Sequence, residues 1–565
     1  MRLLILHSDF IEWEPKKKAI KNPEEVEKKR IRVEDALVVF SSVEKGDEKN
    51  KKEIIDNSVK AVLGVLKQVK AKNIVVYPYV HLSSNPGAPS DALDVVKGVE
   101  EKLKEKKLSV YRSPFGWYKS FCVSCKGHPL SELSREIHVQ KEGSQEEDID
   151  YKQLLREISK SKLDREELKP NDHRILGQDL DLFSFSEVAP GMVFWHDKGW
   201  IIYNELVKFW KEEHRKAGYQ EVSTPQILDK KLWQISGHWE KYKENIFLTE
   251  YEKRSFAVKP MNCPGGIMIY KNKPKSYNDL PLRVGELGVV HRQELSGVLA
   301  GLFRVIKFTQ DDAHIYCTEE QLEDEIMKVV RLTDNFYKKF NMPYHIELST
   351  RPEKRIGSDE IWDKAEKTLE SVLKKNKIKH KINKGDGAFY GPKIDFHVKD
   401  SMGRTWQCGT NQLDFAMPER FDMTYKTKDN KDKRPIMLHR TIYGSLERFI
   451  GILLEHTNGN LPLWLSPVHV RVLSFTDRNK KSAEKIHSQL LEAGIRSEVD
   501  LSDNTVDYKV RDAELKKVPF IVVIGDKEEK AGTVAVRERG VKKVKFGEKL
   551  DKFIENVSKK IEKRE

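Results

Sequence analysis

At 565 residues the chain has room for roughly three or four domains with substantial cores. Lys and Arg number 102 against 89 Asp and Glu, a formal charge of +13 that suits a polyanion such as RNA, although Lys-rich chains also carry such an excess on solvated surface. Five cysteines make no disulfide framework, no stretch predicts a membrane span, and the opening M-R-L-L-I-L-H-S-D-F has an early aspartate and no cleavage-like site, so a cytoplasmic chain without a signal peptide is expected.

Residues 1–139 alternate strand and helix signals. Leu3 to Leu6, Ala36 to Phe40 and Ile74 to Tyr77 are short apolar runs, and Ile55, Val59, Val62, Leu66 and Val69 recur at helical spacing between the last two. A compact α/β unit is expected. Its later part, Y-P-Y-V-H-L-S-S and S-P-F-G-W-Y-K-S-F-C-V-S-C, is rich in Gly, Pro and aromatics. Cys122 and Cys125 have no second pair, so they read as ordinary cysteines and not as a zinc or redox site. Residues 140–179 turn polar and read as a linker with one short helix near Tyr151 to Leu163.

The 180–466 region opens with a helix from Lys198 to Ala217, ended by Gly218, whose Ile202, Leu206, Phe209 and Trp210 form a packing stripe. From Arg283 to Cys317 the pattern predicts a hairpin. Val289 and Val290 lead in, Ser296 and Gly297 turn the chain, and Phe303 to Phe308 lead out. On a strand of period 2, Arg292 and Glu294 share a face to which Arg304 returns. Guanidinium forks match phosphate and stack on bases, so the face suits a nucleotide, and a surface salt-bridge ladder fits the charges equally well. Cys263, His314 and His439 lie too far apart for any zinc-finger spacing, and taken alone each reads as a core or surface residue. After Pro467, residues 467–565 alternate strands and helices again: Val468 to Leu473, Ala483 to Leu491, Arg496 to Val499, P-F-I-V-V-I-G-D and T-V-A-V-R-E-R. A parallel or mixed α/β sheet follows.

Three ordered segments carry a resemblance. H-R-Q-E at 291 to 294 with G-L-F-R-V-I-K-F-T-Q-D-D-A-H-I-Y resembles motif 2 of class II aminoacyl-tRNA synthetases in its threonyl form. The helix leading into Y-Q-E-V-S-T-P resembles motif 1, and H-R-T-I-Y-G-S-L-E-R-F-I-G from His439 resembles motif 3. His291 replaces the usual aromatic residue. Residues 1–139 resemble the archaeal-type editing domain of threonyl-tRNA synthetases, related to D-aminoacyl-tRNA deacylases, and 467–565 resemble the anticodon-binding domain of several class II enzymes.

The resemblance implies a multidomain α/β and α+β chain: a deacylase-like α/β editing domain, an antiparallel-sheet class II catalytic core and an α/β anticodon-binding domain. It implies activation of L-threonine with ATP and Mg²⁺, transfer to tRNA(Thr), and a homodimer through the motif 1 region. It places ATP contacts at Arg292, Glu294, Arg304, Gln407, Thr410 and Arg448, with Lys393 as a further charge at the reacting phosphate. Threonine-pocket positions fall on Met261, Gln310, Asp312, Tyr390, Gln412 and Ser445. One zinc ion per chain is implied on Cys263, His314 and His439. Editing positions match His81, Tyr118, Lys119 and Glu132. Anticodon-reading positions match Glu528 and Arg537, while Asp503 stands where bacterial relatives carry asparagine.

The chemistry supports the metal, because a Cys-His-His set leaves a tetrahedral zinc one open position. An apolar pocket separates valine from threonine poorly, whereas a site that binds the hydroxyl rejects valine. Serine keeps that hydroxyl and lacks only a methyl, worth about 10- to 200-fold, so a second, hydrolytic site is expected. Three rivals stand further off. A catalytically dead RNA-binding relative has no need of Arg292, Glu294 and Arg448. A serine or proline enzyme fits Cys263, D-D-A-H and His439 less well. A zinc hydrolase lacks an H-E-x-x-H glutamate.

Overall fold

The computed structural model describes the chain apart from Lys21, Ser84, residues 138–164 and Glu167, so the short helix expected near Tyr151 to Leu163 lies outside the described residues. Contacts divide it into two units, Met1–Ile149 and Asp150–Glu565.

In the first unit a sheet runs in the order β4 (Ser109–Arg112), β3 (Asn73–Pro78), β2 (Ile31–Ser42), β1 (Arg2–Lys18), β5 (Trp117–Cys125). The predicted apolar runs sit on β1, β2 and β3, but β1 is far longer than its run. Its N-terminal half pairs with β6 (Glu132–Glu136) and its later half with β5, both antiparallel. Alternation along β2 sends Leu37 and Val39 to a core under α1 (Lys51–Val69) and α2 (Pro89–Glu105). Val38 and Phe40 go to the opposite face with Trp13, Val75 and Tyr77. Part of the Gly- and aromatic-rich stretch is the strand β5, with Tyr118 and Lys119 on it.

The second unit is built on an eight-stranded, mostly antiparallel sheet. Its order is β11 (His380–Asn383), β10 (Tyr344–Ser349), β12 (Lys393–Lys399), β13 (Thr405–Asp414), β14 (Ile436–Thr441), β9 (Lys307–Cys317), β8 (Leu282–His291), β7 (Gln220–Glu221). Helices α3 (Asp197–Lys216), α5 (Leu322–Lys339), α6 (Asp359–Lys375) and α7 (Leu446–Thr457) share with it one large apolar core. The stripe Ile202, Leu206, Phe209, Trp210 is buried there, as its spacing predicts. Truncating fully buried Leu206 to Ala would cost about 2–5 kcal/mol. Between β7 and β8 a short helix, α4 (Cys263–Lys271), opens at Cys263.

The predicted hairpin forms as β8 and β9, with one correction. Arg292, Glu294 and Arg304 lie in the connecting loop and not on the strands, which end at His291 opposite Lys307. Short 3₁₀ turns at Ser296–Val298 and Gly301–Phe303 occupy the middle of that loop, and Gly301 adopts φ +53°. The polar run R-Q-E and the glycines Gly297 and Gly301, the second in the left-handed region, turn the chain out of the ladder before Val305 and Ile306.

Residues after Pro467 form a mixed sheet, Ser497–Asp500, Val470–Ser474, Phe520–Ile524, Thr533–Glu538, Lys545–Lys549 in spatial order. The first three strands are parallel and the last two antiparallel.

Candidate functional site

The strand register of the second unit builds its main site. Across the sheet, Ser349, Lys393, Gln412, His439, His314 and Val284 are successive partners on β10, β12, β13, β14, β9 and β8. Period-2 alternation then places Asp312 and Gln310 on the face of His314, and Asp395 on that of Lys393. Residues 314, 439 and 412, far apart in sequence, thus form one row.

Cys263, His314 and His439 converge, with one ligand atom of each within 4.8 Å of the others, all buried. The two imidazoles stand edge to face at 5.0 Å. His314 Nε2 is buried with no hydrogen-bond partner among the described residues, 3.9 Å from Asp312 Oδ1. His439 Nε2 lies 2.8 Å from Asp414 Oδ2, while Asp414 Oδ1 accepts from the amides of Ala416 and Met417. A carboxylate that fixes the second nitrogen of a ligand histidine is the usual support of a metal site. Burial lowers the His314 pKa well below its ordinary value, favouring the neutral imidazole that coordinates. The donor set, the orphaned nitrogen and the Asp414 link together fit zinc.

Around this centre lie the expected pocket residues. Tyr390 donates to Gln412 Oε1 and its ring stands 5.0 Å from that of His439. Asn262 Nδ2 donates to Asp312 Oδ2 at 3.3 Å, and burial pushes the Asp312 carboxyl up to about 6. Gln310 Oε1 is buried with no hydrogen-bond partner among the described residues, its backbone bridging to Ser445. Met261 Sδ lies 2.8 Å from His238 Nε2. Ser445 caps α7, its hydroxyl accepting from the Arg448 amide.

Arg292 donates to the Pro260 carbonyl at 3.1 Å and stacks 5.0 Å over Phe308. Arg304 pairs with Glu294 at 2.8 Å. Arg448 lies 5.7 Å from the Trp406 ring, its Nε buried with no hydrogen-bond partner among the described residues. Lys393, Gln407 and Thr410 meet on the buried carboxylate of Asp395. Sequence reasoning passed over Asp395, Asp414 and Asn262. The two-residue spacing of Lys393 and Asp395 was the available signal for the first.

In the first unit a cavity of about 440 Å³ is lined by Tyr77, Tyr79, His81, Trp117, Tyr118 and Lys119. Lys119 donates to the Pro114 carbonyl at 2.9 Å and lies 4.5 Å from the Tyr77 ring. Burial, then the charge of Arg112, lowers its pKa to about 8. Glu132 is not brought here. It sits exposed on β6 opposite Leu6, outside the residues lining the cavity. Cys122 and Cys125, three apart on β5, are both free thiols. In the C-terminal sheet, Glu528 and Arg537 line a second cavity of about 470 Å³ with exposed Phe475 and Phe546. Asp503 is paired with Lys480 and lies outside that lining.

Comparison with known proteins follows this division. Residues 1–137 match the family described as the Archaea-specific editing domain of threonyl-tRNA synthetase. Residues 247–457 match the tRNA synthetase class II core domain (G, H, P, S and T), and 468–564 an anticodon binding domain. The threonine–tRNA ligase of Carboxydothermus hydrogenoformans is 55% identical over 376 residues, 66% of this chain and 59% of that protein. That of Desulfatibacillum aliphaticivorans is 55% identical over 399 residues, 71% of this chain and 63% of that protein. The chain thus spans about six-tenths of the length of these curated relatives. The crystal structure of the RNA binding domain of threonyl-tRNA synthetase from Cryptosporidium parvum Iowa II is similar, with 41% identity and TM-score 0.66, covering 69% of this chain and 98% of that one. The putative threonyl-tRNA synthetase ThrRS-1 of Aeropyrum pernix gives 30% identity and TM-score 0.62, over 69% and 95%.

Proposed function

The chain belongs to the threonyl-tRNA synthetase family, and from that premise we propose that it activates L-threonine with Mg²⁺-ATP, transfers it to tRNA(Thr), and hydrolyses mischarged Ser-tRNA(Thr). The observation that carries the reading is the single sheet face on which Lys393, Gln412, His439 and His314 stand in register beside Cys263. We assign 1–139 to editing, 140–179 to a linker, 180–466 to catalysis and 467–565 to the anticodon.

Cys263, His314 and His439 would hold a zinc ion, which when bound supplies a Lewis-acidic partner for the amino group and hydroxyl of threonine. Gln310, Asp312, Tyr390, Gln412 and Ser445 enclose the amino acid, and Met261 lines the pocket. The threonine carboxylate attacks the α-phosphorus of ATP in line, an O–P bond forms, and pyrophosphate leaves. Arg292, Arg304, Lys393 and Arg448 neutralise the developing charge, with Glu294, Gln407 and Thr410 binding the nucleotide. Held in place beforehand, such donors act without reorganisation at the moment of reaction. The tRNA 3′-terminal ribose hydroxyl then attacks the carbonyl and releases AMP.

In the editing cavity His81, Tyr118 and Lys119 would position the seryl ester for attack by water. Glu132, remote on β6, contributes only if another surface brings it there. Glu528 and Arg537, beside two exposed aromatics, suit an unpaired anticodon read by hydrogen bonds and stacking. Because the apolar stripe of α3 is used inside its own core, a homodimer through the motif 1 region would rest on the outer face of α3, where Asn204, Val207, Lys208 and Lys211 line a recess. Among the described residues no helix is long and apolar enough to cross a membrane, and five unpaired cysteines suit a reducing cytoplasm.

The test is ATP–pyrophosphate exchange with threonine, valine and serine in parallel, with bound zinc quantified. Exchange with threonine and serine but not valine, at one zinc per chain, is expected. Folded, zinc-loaded protein inert with all three would overturn the reading in favour of an RNA-binding role.

A further inference from the structure

Asp395 is completely buried at the centre of β12. Its Oδ2 lies 2.9 Å from Lys393 Nζ and accepts from Ser349 Oγ at 2.6 Å. Its Oδ1 accepts from Gln407 Nε2 at 2.7 Å and from Thr410 Oγ1 at 2.9 Å. One carboxylate therefore gathers four side-chain partners from three strands, Ser349, Gln407 and Thr410 by hydrogen bonds and Lys393 by an ion pair, and the last three named are residues assigned above to ATP. A carboxylate offers about four lone-pair sites, so Asp395 is saturated.

The backbone makes this convergence possible. Gln407 and Thr410 are three residues apart, and on a regular strand they would point to opposite faces. The β12–β13 pairing contains a bulge between Phe396 and His397. Phe396 pairs with Gly409, His397 pairs with Gln407, and Cys408 is passed over. The extra residue reverses the alternation, re-aiming Gln407 to the face of Thr410. Lys393 has a second partner, Asp386, at 3.1 Å on a half-exposed side chain in the 384–391 loop. Of its two carboxylates, the buried one is fixed and the exposed one is free to give way to a phosphate.

We propose that Asp395 is the positioning residue of the ATP-facing wall, holding Lys393, Gln407 and Thr410 in their nucleotide-binding arrangement before ATP arrives. The proposal rests on the reading of this face as the ATP site. Asp395 touches no substrate and acts through its three donors. Charged hydrogen bonds in a buried network are strong, and the loss of one acceptor leaves a buried donor unmatched.

The experiment is steady-state exchange on the zinc-loaded full chain carrying Asp395→Asn, Ser349→Ala, Lys393→Met or Gln407→Ala, with melting temperatures. In Asp395→Asn the amide turns a donor toward two of the four groups, so the KM for ATP should rise about tenfold or more with the KM for threonine within about twofold. Ser349→Ala, a mild change that leaves every assigned ATP contact in place, should shift the ATP KM about two- to fivefold in the same direction. Adding Lys393→Met to Asp395→Asn should cost less than the sum of the two single changes. Wild-type ATP KM in both Asp395→Asn and Ser349→Ala, while Lys393→Met and Gln407→Ala raise it, overturns the positioning role alone. Wild-type ATP KM in all four overturns the reading of the ATP wall itself.

Discussion

The two sites to which we assign synthesis and editing are constructed in opposite ways. On the central sheet of the second unit, pocket residues are strand residues or strand neighbours held by named partners. His439 is tied to Asp414, Tyr390 to Gln412, and Lys393, Gln407 and Thr410 to Asp395. In the first unit the cavity opens between a short 3₁₀ turn, Val80–Leu82, and strand β5, and Tyr118 is 60% exposed. Lys119 there bonds to a backbone carbonyl and faces an aromatic ring, with no carboxylate bonded to it among the described residues. The difference teaches where selectivity resides. A site that must form a bond with one amino acid needs preorganised donors, whereas a site that only removes an ester needs a shaped cavity, water and few positioned groups.

That contrast can be broken most sharply at Arg292. Arg292→Ala should reduce threonine-dependent exchange by about 10³-fold while deacylation of Ser-tRNA and the melting temperature stay near wild type. Deacylation falling in parallel would show that the two sites are not separable. The converse is deletion of 1–139. Threonine exchange should persist while Ser-tRNA(Thr) accumulates, because a pocket that reads the hydroxyl separates serine from threonine by one methyl, worth only about 10- to 200-fold. Unchanged serine mischarging would remove editing from the first unit.

A smaller effect probes the metal support. Asp414→Asn keeps the shape of the side chain but weakens the link to His439, and zinc affinity, measured with a chelating dye, should drop about 10- to 100-fold. Full retention would mean that Asp414 serves only the turn at Ala416 and Met417. The smallest effect is at Lys119, whose ε-carbon resonance should titrate near pH 8, against 10.5 for an ordinary lysine. Between those values the unfolded chain binds more protons than the folded one, so Lys119 makes stability rise with pH across that window. Lys119→Met should lack this increment, and identical pH slopes would discount the buried ammonium.

Much of this was legible in residues alone. The stripe on α3 and the strand–loop–strand of 283–317 follow from periodicity and Gly or Ser punctuation, which are local properties. Arg292 and Glu294 look like strand neighbours because period 2 is blind to where a ladder stops, and the ladder stops at His291. Gln407 and Thr410 look like opposite faces for a similar reason, since a bulge is a property of a pair of strands and leaves little trace in one of them. Glu132 was grouped with His81 through resemblance, and its strand lies against another part of β1.

The sequence by itself determined the family and the order of its motifs, because these are carried by residue identity and near-neighbour spacing, whereas Cys263, His314 and His439 were drawn together only by the resemblance. Only the tertiary structure decided that His314 and His439 face each other, that Asp414 stands behind one of them, and that four donors close on Asp395. Those facts depend on the register between strands up to 125 residues apart (439 minus 314), which non-local burial of a common core selects.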